Sequence, residues 1–215
     1  MSKNIFIVTD DARFSITGLV TEPFGTNAYL LIDKVEGESI LIDAPGKVDL
    51  IVEKLAETAV KFILLTHGHG DHTPVLEELH ERLAAPVACH TGDAAMMPVE
   101  PDLLLEDGEK IFCGRRELQV LHTPGHTEGG LCFLSSGYLF SGDTLFPGGP
   151  GKTSTPEHFK KILSSIEEKL LPLPDETVIL PGHGEPTEMC IEREKIEIFK
   201  RHYRGEDLSG DITWL

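Results

Sequence analysis

Residues 66–72, which read THGHGDH, constrain the fold of this chain more than any other stretch. They hold three histidines and an aspartate, and they follow an apolar run at residues 61–65 that is typical of a buried strand. Thr73 and Pro74 come next and predict a helix start, because a capping hydroxyl and a first-turn proline favour helix N-termini. The two glycines of the stretch are expected to adopt backbone angles that other residues resist. The chain must therefore present these polar side chains where a strand ends and a helix begins.

This clustering of imidazoles predicts a metal site. His67 and His69 are two positions apart, so in extended backbone they point the same way and can bind one ion. Asp71 and His72 come where the chain turns into the predicted helix, so their side chains can face a second position next to that ion. Histidine is the commonest protein metal ligand, and carboxylates join it on zinc, iron or manganese.

The pattern of apolar residues predicts strands in both halves of the chain, with helices between some of them. The predicted strands are residues 5–8, 15–20, 27–32, 39–42, 61–65, 86–90, 117–121, 131–134, 138–140 and 177–180. The predicted helices are residues 47–58, a segment beginning at Thr73-Pro74, residues 156–170 and residues 191–203. This order predicts an α/β (α+β) protein with two mixed sheets packed together and helices outside. A length of 215 residues suits one domain spanning residues 1–215.

The charge of the chain limits its partners. The formal net charge is −17, and a surface this acidic repels phosphate backbones and anionic lipid, so nucleic acid and membranes are not expected partners. No apolar run reaches the roughly 20 residues that span a bilayer, and the start of the chain lacks a signal-peptide pattern. The four cysteines form no CxxC pair, which favours reduced thiols in a cytoplasmic protein. A small-molecule substrate is expected, and the sequence leaves the oligomeric state open.

Three further donors stand next to predicted strands. His126 in TPGHT precedes the strand at 131–134, Asp143 in FSGDTLF follows the strand at 138–140, and His183 in ILPGHG follows the last strand. Each lies beside a glycine. These side chains can converge with the histidine-rich stretch if their strands share one edge of a sheet.

Taken in order, THGHGDH, PGHT, SGDTLF and GHG resemble the metallo-β-lactamase superfamily, and within it glyoxalase II and its short bacterial relatives. The resemblance extends to the early NAYLLID and ILIDAP segments. It implies an αββα sandwich with a binuclear metal site at one edge of the paired sheets. It assigns His67, His69 and His126 to the first ion; Asp71, His72 and His183 to the second; and Asp143 to both as a bridge.

The resemblance also implies a chemistry. Two divalent ions, with zinc expected first and iron or manganese as alternatives, would lie about 3.5–4 Å apart and share a hydroxide that attacks a small thioester or ester. Asp71 and Asp143 are the catalytic carboxylates in this interpretation. The chain has no GxSxG motif, so no serine nucleophile is expected.

The glutathione-recognition residues of glyoxalase II are only partly present. Lys152 matches the basic residue that touches glutathione in that family, so it is a candidate substrate-binding residue. Ser154 and Glu185 stand where the family has tyrosines, and the long basic helical region that ends glyoxalase II is absent after GDITWL. The metal chemistry therefore carries over more completely than the specificity for glutathione.

Three alternatives remain open at the level of sequence. A mononuclear Fe(II) persulfide dioxygenase would use only His67, His126 and Asp143, a two-histidine, one-carboxylate face that suits iron and O₂. A lactonase would use the same metals with a different pocket. A metal-dependent sensor without catalysis would keep the ligands and use them for binding alone.

Five other histidines are interpreted as structural. His80, His158 and His202 are expected at surface positions, with His80 in solvent on the exposed side of a helix. His90 and His122 end predicted strands, and no motif includes them.

Overall fold

The first half of the chain builds one mixed sheet. In the computed structural model, which describes residues 4–214, its seven strands lie side by side in chain order. The first four pair antiparallel, and the last three continue the sheet in parallel. They are β1 (Ile5–Asp10), β2 (Phe14–Thr21), β3 (Thr26–Asp33), β4 (Glu38–Ile42), β5 (Ala59–Leu64), β6 (Val87–His90) and β7 (Leu103–Leu105).

The second half builds a second sheet of six strands in the order β15-β14-β11-β10-β9-β8. One pair in it, β11 with β14, is parallel, and its other pairs are antiparallel. Two further short strands, β12 and β13, form a separate hairpin after β11. The strands are β8 (Lys110–Cys113), β9 (Arg116–His122), β10 (Leu131–Ser135), β11 (Tyr138–Gly142), β12 (Leu145–Phe146), β13 (Gly149–Pro150), β14 (Val178–Pro181) and β15 (Thr187–Glu188).

Helices cover the outer faces of both sheets. The first sheet carries α1 (Val48–Leu55) and α2 (Leu76–Leu83), and the second carries α3 (Pro156–Ser165) and α4 (Met189–His202). Between the sheets lies a central apolar layer that includes Ile16 and Phe133. In β4, Ile40 belongs to this central layer while its neighbour Leu41 belongs to the layer beneath α1 and α2. The alternation follows from the two-residue period of a strand, and it explains why the strands read as continuous apolar runs.

This arrangement confirms the predicted αββα sandwich and most of the predicted elements. Residues 156–170 are helical as predicted, but the α-helix ends at Ser165 and a π-helical turn, Ile166–Leu170, completes the segment. Thr155 caps this helix because its Oγ1 accepts a hydrogen bond from His158 N at 3.2 Å, and Pro156 occupies the first turn.

The predicted helix start at Thr73-Pro74 is wrong. Helix α2 begins at Leu76, and Thr73 turns its hydroxyl back to the carbonyl of His69 at 3.2 Å. The hydroxyl that suggested a cap therefore stabilises the turn of the histidine-rich stretch. Five strands of two to four residues, β7, β8, β12, β13 and β15, were not predicted from the sequence. Strands this short contain too few residues to show a periodic pattern.

His80 is not fully in solvent as expected. It is half-buried, and its Nδ1 lies 2.9 Å from the carbonyl of Ala85 just beyond the end of α2. The four cysteines are free thiols in the structure. No helix within residues 4–214 combines the length and apolar character needed to cross a bilayer.

Candidate metal centre

Strand ends from both sheets position the predicted site residues. Residues 66–72 form the irregular segment between β5 of the first sheet and α2. The other three donors belong to the second sheet: His126 lies between β9 and β10, Asp143 directly follows β11, and His183 follows β14. The three later donors therefore belong to one sheet, and the histidine-rich stretch belongs to the other. The seven side chains converge because the two sheets face each other and these strand ends lie at the same end of the sandwich.

One group of side chains consists of His67, His69 and His126, whose potential ligand atoms all lie within 4.8 Å of one another. Nε2 of His126 lies 2.9 Å from Nδ1 of His69. Nε2 of His67 is buried and has no hydrogen-bond partner. Three imidazoles therefore direct nitrogen lone pairs toward one region.

A second group consists of Asp71, His72 and His183. Nε2 of His183 lies 3.1 Å from Oδ2 of Asp71 and 3.3 Å from Nε2 of His72. Two donors on one tetrahedral ion at 2.0–2.1 Å are separated by about 3.3 Å. The spacing within this group is therefore compatible with a shared ion.

Asp143 lies between the two groups. Its Oδ2 is 3.5 Å from Nε2 of His126 and 3.6 Å from Nε2 of His183, and its Oδ1 is 3.3 Å from Nε2 of His72. That Oδ1 is a buried oxygen without a hydrogen-bond donor. One carboxylate thus reaches side chains of both groups.

In His126 and His183, a hydrogen bond on the far side of the ring fixes which nitrogen faces the centre. Nδ1 of His126 lies 2.7 Å from the carbonyl of Lys152, and Nδ1 of His183 lies 3.2 Å from the carbonyl of Phe24. A carbonyl only accepts hydrogen bonds, so both Nδ1 atoms carry hydrogen, and in the neutral ring the Nε2 atom keeps a free lone pair. This is the arrangement that metal-binding histidines require.

Asp43 is a supporting residue that the sequence analysis missed. It follows β4, it is buried, and its φ of 61° lies in the left-handed region that aspartate tolerates. Its Oδ2 is 2.9 Å from Nδ1 of His72 and accepts a 2.8 Å hydrogen bond from the hydroxyl of Thr66, while its Oδ1 accepts one from Thr66 N. The signal available in the sequence was an acid directly after an apolar strand, in ILIDAP.

Asn27 and Tyr29, on strand β3 of the first sheet, form hydrogen bonds to the segment that carries His183. The side-chain amide of Asn27 donates to the carbonyls of Pro181 and Gly184, both at 2.9 Å. The hydroxyl of Tyr29 donates to the same Pro181 carbonyl at 2.7 Å, and burial raises the pKa of this phenol above its ordinary value. These bonds tie the two sheets together beside the site, and the NAYLLID segment was the only sequence signal for them.

The electrostatics of the site favour neutral imidazoles in the first group. Burial lowers the pKa of His67 well below 6.5, and burial followed by the nearby His126 lowers the pKa of His69. Burial alone would also lower the pKa of His72, but the carboxylates of Asp43 and Asp143 outweigh it and raise that pKa to about 10. Burial would raise the pKa of Asp143, yet the nearby imidazole of His72, followed by those of His67 and His126, holds it below its ordinary value.

These residues fit divalent metal ions. A buried nitrogen of His67 and a buried oxygen of Asp143 lack any partner, although such atoms are costly to bury unpaired. Gly182 leaves room beside them, because a Cβ there would collide with Oδ1 of Asp143. Imidazole and carboxylate donors suit zinc, iron and manganese.

The glycines of the histidine-rich stretch act differently from the expectation. Neither Gly68 nor Gly70 has a left-handed φ. Gly68 permits close packing, because a Cβ there would lie 2.6 Å from Cβ of Met96, whereas Gly70 faces open space. The nitrogen of Gly68 donates to the buried carboxylate of Asp93 at 3.0 Å, which holds this part of the stretch in place.

The remaining histidines lie outside both groups. His90 and His122 stack on each other with ring centroids 3.8 Å apart. His158 is half-buried near Ser154, and His202 is exposed at the end of α4.

A cavity of about 580 Å³ opens onto the site. His126, Asp143 and His183 form its metal-facing side, and Phe146 and Pro147 supply an apolar wall. Lys152 also lines it, at the position predicted for substrate binding. The lining residues further include Glu185 and Asp211, which the sequence analysis did not assign to substrate. A larger cavity of about 690 Å³, lined by Arg13, Asp33 and Ser136 among others, lies at the opposite strand ends and contains no member of the histidine groups.

Comparison with known proteins gives a consistent result. The Metallo-beta-lactamase superfamily matches residues 21–183 of this chain. The chain is 32% identical over 195 residues to the "Probable metallo-hydrolase YqgX" of Bacillus subtilis, covering 80% of this chain and 92% of that protein. It is 31% identical over 193 residues to the hydroxyacylglutathione hydrolase GloC of Haemophilus influenzae, covering 79% and 91% of the two chains.

Solved structures show the same fold. ETHE1 from Myxococcus xanthus superposes with a TM-score of 0.76 at 27% identity, covering 85% of this chain and 83% of that one. TTHA1623 in a di-iron-bound form superposes with a TM-score of 0.69 at 30% identity, covering 82% and 96%. Together with the convergent histidine and aspartate side chains, the family match places this chain in the metallo-beta-lactamase superfamily.

Proposed function

We propose that this protein is a binuclear metallohydrolase that cleaves a small thioester or ester. The observation that carries the proposal is the position of Asp143, whose carboxylate reaches His126 of one group and His72 and His183 of the other. A bridging carboxylate of this kind holds two ions at a fixed separation. The identity to hydroxyacylglutathione hydrolase GloC supports a thioester in particular.

The assignment of ligands follows the two groups. His67, His69 and His126 would hold the first ion, Asp71, His72 and His183 the second, and Asp143 both. Zinc is proposed first and iron or manganese as alternatives, because these donors suit all three. When bound, such ions lower the pKa of water to about 7 and polarise a carbonyl group.

Residues of the chain then bind the substrate and accept a proton from water. The apolar wall of Phe146 and Pro147 accommodates the organic part of the substrate, and Lys152 binds a negatively charged group on it. Asp71, which is partly exposed, offers a carboxylate oxygen that can accept a proton from the attacking water. Water adds to the acyl carbon, the carbon–sulfur bond breaks, and the thiol and the carboxylic acid leave.

The test combines metal analysis with turnover. Protein purified without added metal is analysed for zinc, iron and manganese, treated with a chelator, and assayed after each metal is restored. Thioesters of glutathione, coenzyme A and N-acetylcysteamine are offered beside an aryl ester and a lactone. We expect about two ions per chain, loss of thioester cleavage on chelation, and recovery with metal. Folded, metal-loaded protein that cleaves none of these substrates contradicts the proposal, and cleavage of the lactone alone identifies a lactonase.

A second candidate function is a mononuclear iron dioxygenase that acts on a persulfide. The donor set favours it, because His67, His126 and Asp143 supply the two histidines and one carboxylate that suit iron, and the chain superposes on ETHE1 from Myxococcus xanthus. One iron per chain, together with oxygen uptake on glutathione persulfide, would support this candidate over the hydrolase. A metal-loaded protein without either activity would favour a sensor role.

A further inference from the structure

The last described residues of the chain pass beside the cavity at the candidate metal centre, and Asp211 is one of the residues that line it. Gly210 exchanges two backbone hydrogen bonds with Thr153, at 3.1 and 2.7 Å, and Trp214 N donates to the carbonyl of Gly148 at 2.8 Å. The Trp214 side chain is buried, with its ring centroid 5.1 Å from that of Phe199 on α4. The segment 210–214 is therefore anchored to the core and to the loop that follows Asp143.

This pairing brings two residues of opposite charge to neighbouring backbone positions. Thr153 and Gly210 form an antiparallel bridge, so Lys152 and Asp211, the residues next to them, face each other across it. Both side chains line the cavity. Within residues 4–214, neither takes part in an ion pair shorter than 4.0 Å, although most lysines and arginines of this acidic chain have one.

Lys152 is also in direct contact with the candidate metal centre. The carbonyl of Lys152 accepts the hydrogen bond from His126 Nδ1 at 2.7 Å, so the residue that carries the positive charge also orients a candidate ligand. A substrate group bound by Lys152 and Asp211 is thereby held at a fixed position relative to the metal centre. Such positioning is how a remote binding group contributes to catalysis.

We infer that Asp211 is a specificity residue that, together with Lys152, binds a zwitterionic amino-acid group on the thiol part of the substrate. Asp211 receives the ammonium and Lys152 the carboxylate. A substrate that carries only one of these charges leaves the other side chain without a partner, and a neutral substrate leaves both. This inference rests on the proposed hydrolase function and names the class of substrate that the cavity selects.

The test uses the metal-loaded enzyme and four acetyl thioesters whose thiols differ in charge. They are N-acetylcysteamine, which is neutral; 3-mercaptopropionate, which is anionic; thiocholine, which is cationic; and γ-glutamylcysteine, which carries an amino-acid group. We expect the highest kcat/KM for the γ-glutamylcysteine thioester. Asp211→Asn should lower kcat/KM for this substrate and for the thiocholine ester by about fivefold, the upper end of the scale for an exposed charge contact, and leave the neutral ester unchanged.

A matched variant controls for the loss of a charge. Asp207→Asn removes an aspartate from the same terminal region, where Asp207 is exposed and bonded to Lys160 instead of lining the cavity. We expect it to leave all four substrates unchanged. If Asp211→Asn leaves the thiocholine and γ-glutamylcysteine esters unchanged and instead improves the 3-mercaptopropionate ester, Asp211 merely neutralises Lys152, and the inference is wrong.

A binding measurement separates this inference from the proposed function. The S-ethyl thioether of γ-glutamylcysteine cannot be hydrolysed, and its affinity can be measured by calorimetry. We expect it to bind the wild-type protein more tightly than Asp211→Asn by about fivefold. Binding with this preference but without hydrolysis of any thioester would contradict only the proposed function. Hydrolysis of all four thioesters with no charge preference, and no difference in binding, would contradict only the role of Asp211.

Discussion

At the scale of single residues, Asp143 connects the two halves of the candidate site. It follows β11, its Oδ1 is buried without a hydrogen-bond donor, and its two oxygens reach histidines of both groups. If two cations bind on either side of it, as proposed, a carboxylate in this place would neutralise part of their mutual repulsion, which a ligand to one ion alone would not do. The effect of replacing it should therefore exceed that of replacing any residue around it.

We predict that Asp143→Asn weakens retention of both ions and lowers turnover by several powers of ten. Asparagine keeps the shape of the side chain and removes its charge. Metal stoichiometry and thioester turnover measure the effect, and circular dichroism establishes folding. Asp49→Asn is the matched control, because Asp49 is an exposed aspartate on α1 that pairs with Arg82. A folded Asp143→Asn protein with two ions and near-normal turnover would disprove the bridge.

A second residue-scale prediction concerns Asp43 and pH. Its carboxylate helps raise the pKa of His72 to about 10, above the ordinary 6.5. In chelated protein, the proton on His72 therefore stabilises the fold fully below pH 6.5, and this contribution is lost as the pH rises through 10. We expect urea unfolding of chelated wild-type protein to show this decline between pH 6.5 and 10. Asp43→Asn should show a smaller decline.

The same variant should also weaken metal binding. Asp43 orients His72 by its contact with Nδ1, the ring nitrogen that faces away from the candidate metal centre. The loss of such a hydrogen bond typically costs about 10–100-fold in metal affinity. This is less than the loss expected for Asp143→Asn. If Asp43→Asn has the pH dependence and metal affinity of the wild-type protein, the His72–Asp43 contact does not act as described.

At the scale of elements, the loop after Asp143 does the most to shape the site. The backbone of Gly151 packs against the carbonyl of Asp143 and the ring of His126. The carbonyl of Lys152 accepts a hydrogen bond from Nδ1 of that ring. Segment 210–214 pairs with the same loop. The geometry of a candidate ligand, His126, and of the candidate substrate-binding residue Lys152 therefore depends on one short piece of backbone.

We predict that Gly151→Ala impairs metal retention and turnover at least tenfold, because the added Cβ collides with the carbonyl oxygen of Asp143 and must displace the loop. Gly70→Ala is the matched control within the histidine-rich stretch, since a Cβ there meets no atom within 4 Å. We expect Gly70→Ala to retain metal and activity. Equal metal content and turnover in both variants would show that the loop tolerates displacement.

At the scale of the whole molecule, the two sheets share one central apolar layer and one site. Residues of both halves of the chain, such as Ile16 and Phe133, meet in that layer. The site likewise takes four donors from the first half and three from the second. We therefore propose that residues 1–215 form a single domain, and that neither half forms the site alone.

The buried core gives a whole-molecule prediction for the thiols. Cys89, Cys113 and Cys132 are buried, and burial raises the pKa of each thiol to about 11. Because the thiolate is the reactive form, these three should resist alkylation at pH 8, while the half-buried Cys190 reacts. Mass spectrometry should find one label in native protein and four in denaturant. Several labels under native conditions would indicate that the core opens readily.

The sequence by itself determined the fold family and the residues that could form the site. Strand-length apolar runs, the THGHGDH stretch and the three later motifs sufficed, because local periodicity and donor-rich turns are properties of neighbouring residues. The ends of elements were less predictable: Thr73 was expected to cap α2, but its hydroxyl instead bonds to the carbonyl of His69. The metal-binding role of the seven residues stays a prediction.

Only the tertiary structure decided which side chains act together. Asp43 reaches His72 across 29 positions of sequence, Asn27 reaches the Pro181 carbonyl across 154, and Asp211 faces Lys152 through a bridge between distant loops. None of these contacts leaves a local pattern, because each depends on how the two sheets and the terminal segment pack. The chemical groups of the candidate site can thus be identified from the sequence, whereas the contacts that support them and the shape of the cavity arise from packing between segments that are remote along the chain.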